Sequence, residues 1–197
     1  MADVYEGASV PREVAQATVL DAAGARVQLA SFWQNGPCML VLLRQFGCVS
    51  CAQQVTELSS RLDELARAGV HTVLVGNGTR EELVAFVDRH ALAGAPVEAV
   101  TDPELEAYRA LGLVRSAWAT VGPRAIVGTV RAMAAGFPHR APEGDRTQQG
   151  GVLFVDGRGV VRLYKRNRSI CDYLPASELV EAALRLAIER AGSAAPV

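Results

Sequence analysis

The chain predicts an α/β fold, a central mixed sheet with helices on both faces and an N-terminal hairpin. Three observations lead there. Residues 38–44 form an almost unbroken apolar run, the pattern of a strand buried on both faces. From Cys51 the apolar positions recur as Val55, Leu58, Leu62 and Leu65, the inward stripe of one helix that ends near Gly69. Strand-like and helix-like stretches then alternate β-α-β-α-β, an order that calls for parallel strands with right-handed crossovers.

The elements follow in order. Residues 18–20 and 26–29 flank Asp21-Ala22-Ala23-Gly24-Ala25, a short hairpin in which Gly24 supplies the positive φ of the turn. After the strand at 38–44 and the helix from Cys51 comes a second buried strand at 70–75. Thr79-Arg80-Glu81-Glu82 opens a helix with capping-box spacing, and residues 97–100 form a third short strand. Asp102-Pro103 then leads into a helix over 104–111, Pro suiting its first turn. Residues 113–150 are an irregular insertion of the kind that serves as a lid or binding loop, with a helix over 124–135. A hairpin at 152–155 and 160–164 turns on Asp156-Gly157-Arg158-Gly159. The last helix runs from Pro175 to about Arg190, and 191–197 read as a frayed tail. Length and half-apolar composition fit one domain over 1–197, its core at about 15–190.

Charge and cysteine count narrow the function. Twenty basic residues against twenty-one acidic ones leave a net charge of −1, so nothing global recruits nucleic acid or an anionic membrane. The start, Met-Ala-Asp-Val-Tyr-Glu-Gly, lacks a secretory pattern, no segment is long enough to span a bilayer, and a cytoplasmic protein is expected. Four cysteines are too few for a disulfide scaffold. His71, His90 and His139 are scattered, so no zinc set forms and no metal or cofactor is expected. The oligomeric state is open, a homodimer included.

Chemistry concentrates at Cys48-Val49-Ser50-Cys51, where the apolar strand hands over to the amphipathic helix. A Cys-x-x-Cys pair at a helix N-terminus puts one thiol beside unpaired main-chain N–H groups, which favour a thiolate, and a second thiol one turn on. Cys51 falls on the apolar stripe and should point inward; Cys48 precedes it and should be the more exposed. Arg44 lies close by, either as a group that stabilises a thiolate or leaving oxygen or as a solvated strand-end charge. Cys38, at the far end of the strand, reads as packing.

The order of elements, together with Leu42-Leu43-Arg44-Gln45-Phe46-Gly47-Cys48-Val49-Ser50-Cys51, the run Thr101-Asp102-Pro103-Glu104-Leu105-Glu106-Ala107-Tyr108-Arg109-Ala110-Leu111-Gly112-Leu113 and Gln149-Gly150-Gly151-Val152-Leu153-Phe154-Val155, resembles the thioredoxin-like fold in its peroxiredoxin-like form. More narrowly it is similar to the AhpC/TSA-type peroxiredoxin-like 2 group over roughly 15–190. The resemblance implies a thiol-dependent oxidoreductase that reduces a peroxide, an endoperoxide or a disulfide and is itself re-reduced by thioredoxin or a similar dithiol. A non-turnover redox sensor and a natural-product biosynthetic enzyme on the same fold are the alternatives. Counted back from Cys51, Cys48 and Arg44 occupy the places of the Thr and Pro of typical peroxiredoxins. That alignment makes Cys51 the attacking thiol, whereas accessibility favours Cys48. Gly150-Gly151 stands where thioredoxins carry a proline facing the disulfide, which implies a groove open to a bulkier substrate. Phe46, Gly47, Trp118, Gly150 and Gly151 are the expected substrate-binding residues. Cys171 is a possible third thiol, and His139 and Arg140 lie in the insertion near the expected pocket.

Overall fold

Every side chain of strand Cys38–Leu42 is buried, and successive residues serve opposite faces of the sheet as strand geometry requires. Met39 and Val41 join one apolar cluster, which continues through Leu43; Cys38, Leu40 and Leu42 join the other. A computed structural model describes residues 4–116, 123–137, 141–170 and 172–193. In chain order the elements are α1 (Arg12–Gln16), β1 (Thr18–Leu20), β2 (Arg26–Gln28), a 3-10 turn at Leu29–Trp33, β3 (Cys38–Leu42), α2 (Val49–Ser59), α3 (Leu62–Arg67), β4 (His71–Gly76), α4 (Arg80–Arg89), β5 (Glu98–Thr101), α5 (Glu106–Ala110), α6 (Pro123–Ala134), β6 (Gly151–Val155), β7 (Val161–Arg166) and α7 (Ala176–Ser193).

The described strands form one seven-stranded sheet in the order β2-β1-β5-β4-β3-β6-β7. β3 runs parallel to β4, and β4 to β5; β6 lies antiparallel to β3, with Leu42 opposite Gly151. The expected mixed α/β sheet is therefore the one observed. One face carries Val55, Leu58, Leu65, Leu83, Phe86, Leu179 and Val180 from the helices and their connections. The other carries Val14, Leu29, Trp33, Tyr108 and Leu111. Residues 43–48 leave the carboxyl end of β3, the end at which open α/β sheets place ligand sites.

Several expected elements are found nearly as read. Gly24 adopts φ +89° in the first hairpin. Thr79 accepts the Glu82 N–H while the Glu82 carboxylate accepts the Thr79 N–H, a complete capping box. Three boundaries differ. The stripe from Cys51 to Leu65 belongs to two helices, because the Ser59 and Ser60 hydroxyls donate to the carbonyls of Thr56 and Glu57 and compete with continuation of the ladder. The helix expected at 104–111 begins at Glu106, since the Asp102 carboxylate reaches past Pro103 to accept N–H bonds from Glu106, Ala107 and Tyr108. The last helix extends to Ser193, into the segment read as a tail.

Candidate active site

Cys48 caps α2 with extended backbone (φ −72°, ψ 124°), and its carbonyl accepts the Ala52 N–H. The turn before it closes through the Cys48 N–H to the Gln45 carbonyl at 3.3 Å. Cys51, one turn into α2, brings its sulfur within 3.3 Å of the Arg44 main-chain nitrogen. The Arg44 guanidinium donates to the Cys48 sulfur at 3.4 Å and to the Arg146 carbonyl at 2.7 Å. Ser50 Oγ lies 3.2 Å from the Cys48 sulfur. Both cysteines are free thiols.

The two sulfurs are polarised in opposite senses. The Cys51 S–H donated to Cys48 holds the Cys48 thiol well below its ordinary range, helped by the Arg44 charge and the Ser50 hydroxyl and opposed by burial. The same bond, with burial and the charge of Cys48, holds the Cys51 thiol well above that range. In thiol chemistry a thiol held low is the better nucleophile and one held high keeps its proton.

Cys48 is not the more exposed sulfur. Both residues are 4% accessible, because segments distant in sequence return over the turn. Residues 141–147 lie against it: Phe46 donates its N–H to the Glu143 carbonyl, Glu143 its N–H to Gln45 Oε1, and Asp145 its N–H to Asn77 Oδ1. Arg89 clamps the same segment with two bonds to the Glu143 carboxylate and one to the Phe46 carbonyl. Asn77 in turn donates to the Arg44 carbonyl. The sulfurs are nonetheless among hydrogen-bond donors and not sealed in hydrocarbon.

A family model described as AhpC/TSA antioxidant enzyme matches residues 57–169. The chain belongs to the AhpC/TSA antioxidant-enzyme family. That match begins six residues beyond Cys51, so membership and the thiol geometry are separate observations. The AhpC/TSA chain is 33% identical over 165 residues to the prostamide/prostaglandin F synthase of Sus scrofa, covering 81% of this chain and 79% of that protein. It is 26% identical over 173 residues to the chloroplastic thioredoxin-like protein AAED1 of Arabidopsis thaliana, covering 83% of this chain and 68% of that one. Among solved structures, reduced Prx3 of Vibrio vulnificus in complex with hydrogen peroxide superposes with a TM-score of 0.65 at 14% identity, over 92% of this chain and 99% of that one. The AhpC/TSA chain thus has the thioredoxin-like α/β fold of the peroxiredoxins.

Not every expected site residue of the AhpC/TSA chain meets the thiols. Arg44 does, and at 2% exposure it is no solvated strand-end charge. Phe46 is core: its ring stacks on Phe86 with centroids 4.8 Å apart and fills the space a Cβ at Gly76 would need. Gly47 lies under the returning segment, where an added Cβ would come within 2.3 Å of the Ala141 carbonyl oxygen. Gly150 and Gly151 are buried against neighbouring main chain. A Cβ on Gly150 would meet the Leu42 carbonyl at 2.2 Å, and one on Gly151 the Lys165 carbonyl at 2.6 Å. These glycines let backbones approach, which is a packing role. Trp118, His139, Arg140 and Cys171 lie outside the described residues.

Three residues near the pair escaped the sequence reading. Tyr108 is fully buried and its hydroxyl, with one proton shared between them, lies 2.6 and 2.9 Å from the carbonyl oxygens of Leu43 and Val75, at the ends of β3 and β4 beside the sulfurs. Asn77 and Ser50 complete the polar surround. The available signal was only the hydroxyl of Ser50 between the two cysteines; its bond to the Ile170 carbonyl, 120 residues on, leaves no local trace.

Proposed function

We propose that this chain is a thiol-dependent oxidoreductase in which Cys48 attacks and Cys51 resolves. The observation that carries the reading is the asymmetric surround of the pair: the Arg44 guanidinium and the Ser50 hydroxyl lie at 3.4 and 3.2 Å from the Cys48 sulfur, in keeping with a Cys48 thiol held low beside a Cys51 thiol held high. The thiolate is the nucleophile in such chemistry, so the polarisation supports Cys48 over Cys51. The Arg44 main-chain N–H donated to the Cys51 sulfur works in the opposite sense and is outweighed there by burial and by Cys48; the family's antioxidant description supports the class of chemistry, not the choice of sulfur.

With a peroxide, the Cys48 thiolate attacks one oxygen, the O–O bond breaks, and sulfur is oxidised to sulfenic acid while the peroxide is reduced to alcohol or water. The departing oxygen takes a proton. The Cys51 thiol, one helical turn away, supplies it and becomes the second thiolate. Loss of the negative charge on Cys48 removes a force that held the Cys51 thiol up. Cys51 then attacks the Cys48 sulfur and expels hydroxide, which takes a proton from solvent to become water, and a Cys48–Cys51 disulfide forms. An external dithiol of the thioredoxin type returns the pair to thiols by exchange. An endoperoxide enters at the same O–O step, and a disulfide substrate at the corresponding S–S step. Free thiols at Cys38, Cys48 and Cys51 suit a reducing compartment such as the cytoplasm.

The test is mass spectrometry after stoichiometric hydrogen peroxide or alkyl hydroperoxide, beside steady-state consumption with a dithiol reductant. We expect loss of two protons mapped to Cys48 and Cys51, no turnover in Cys48→Ser, and a single round or a trapped mixed disulfide in Cys51→Ser. Full turnover by Cys48→Ser refutes the assignment. The burial of both sulfurs favours one second reading, a redox switch that oxidises once and signals; absence of steady-state consumption in the unmodified protein selects it.

A further inference from the structure

Ser50 has one hydroxyl proton and two claimants for it. Its Oγ is 2.7 Å from the Ile170 carbonyl oxygen, an obligate acceptor, and 3.2 Å from the Cys48 sulfur. While Cys48 carries its proton, both contacts are satisfied: the thiol donates to Ser50, and Ser50 donates to Ile170. Once Cys48 is a thiolate it is an acceptor only. The hydroxyl then serves the sulfur or the carbonyl, and the buried surround gives the charged acceptor the stronger claim. Ser50 is itself 2% exposed, so water has little access to replace the bond that is lost.

Ile170 belongs to the connection between β7 and α7. From α2, two side chains one turn apart hold that connection, Ser50 to the Ile170 carbonyl and Gln54 to the Leu174 carbonyl at 3.4 Å. The connection also has its own ties, the Arg168 and Lys165 pairs with Asp172 at 3.0 and 3.7 Å. Of these two bonds from α2 Ser50 supplies the shorter. We infer that Ser50 is a positioning residue whose hydroxyl turns from the Ile170 carbonyl to the Cys48 sulfur when Cys48 ionises, so that arming the thiol releases a hydrogen bond between α2 and the connection that follows β7. The inference rests on Cys48 being the thiolate of the proposed function. It adds a response of the neighbouring segment to the protonation of that sulfur. Among the described residues, the charged or titratable groups facing Cys48 are Arg44 from the end of β3 and Cys51 from α2. Tyr108 of α5 interacts with Cys51, Asp172 and Arg168 are on the connection itself, and Lys165 is on β7.

The experiment uses the reduced full chain in a Cys171→Ser background, which removes the thiol adjacent to Ile170. Thiolate ultraviolet absorbance against pH gives the Cys48 midpoint by difference from Cys48→Ala. Hydrogen exchange of the 168–174 amides, referred to Cys48→Ala at each pH, reads the tether. We expect exchange there to quicken severalfold as Cys48 ionises. Ser50→Ala should raise the Cys48 midpoint by about one pH unit and leave the amides quick at every pH; Ser50→Thr, which retains the hydroxyl, should restore both. Exchange in the parent that ignores Cys48 ionisation overturns the inference without recourse to any Ser50 variant, as does an unmoved midpoint in Ser50→Ala. A Cys48 midpoint no lower than that of Cys51 overturns the functional reading instead.

Discussion

Cys38 and Cys48 begin from the same side-chain chemistry and end with opposite proton affinities, because one is surrounded by hydrocarbon and the other by donors. Burial and the nearby Glu98 charge push the Cys38 thiol far up, and Cys51 is also raised, whereas Cys48 is lowered. The raised thiols retain protons that the unfolded chain releases near the ordinary thiol value of 9.0. Their contribution to stability is thus present below that pH and is lost as pH rises above it, by about 1.4 kcal/mol per pH unit for each retained proton. Cys48 runs the other way: its contribution is present above 9.0 and fades as pH falls through its lowered folded value. Urea midpoints between about pH 9 and about pH 10.5 should therefore fall with pH, and Cys38→Ala should flatten the decline by one proton's share. An unchanged slope in that variant would mean that Cys38 ionises freely. The Cys-x-x-Cys pair itself was legible in the sequence from its place between an apolar strand and an amphipathic helix. Which sulfur ionises was not, because the answer lies in a main-chain N–H of Arg44, the rotamer of its guanidinium and a carbonyl 120 residues from Ser50.

Periodicity made the elements readable and local side-chain chemistry moved their ends. Thr79 and Glu82 announce the start of α4 at fixed spacing, and the reciprocal bonds are both made. Thr79→Ala should lower stability by about 1 kcal/mol, with Thr79→Ser close to the parent, as read by denaturant midpoint at constant slope. No loss in the alanine variant would show that α4 is held by its Leu83 and Phe86 contacts alone. The apolar stripe placed Val55, Leu58, Leu62 and Leu65 on one face correctly, yet it is silent about the interruption between Ser59 and Leu62, since apolar spacing reports a face and not a ladder of hydrogen bonds. Asp102 shows the same limit. Pro103 suggested a helix beginning beside it, and the Asp102 side chain, acting across three residues, set the start at Glu106.

At the scale of the whole chain, the thiol turn is covered by residues that follow it by about a hundred positions. The Arg89–Glu143 pair is partly buried and bidentate, the geometry in which an ion pair orders a segment most effectively. Arg89→Ala should free the 141–147 segment and speed iodoacetamide modification of Cys48 severalfold at matched ionisation. A rate equal to the parent would show that access is controlled elsewhere. The sequence offered the insertion over 113–150 as a lid or binding loop, and its residues 141–147 lie over the turn; at the turn itself Gly47 is the trace of that cover, a residue whose missing side chain leaves room for Ala141. The same architecture also segregates the sulfurs. Cys48 and Cys51 belong to the apolar cluster on one face of the sheet, Cys38 to the cluster on the other, and β3 adds about 13 Å along the chain direction between them. A bond joining Cys38 to either partner would require the central strands to part, so such a crosslink would be a molecular record that the protein had once lost its fold.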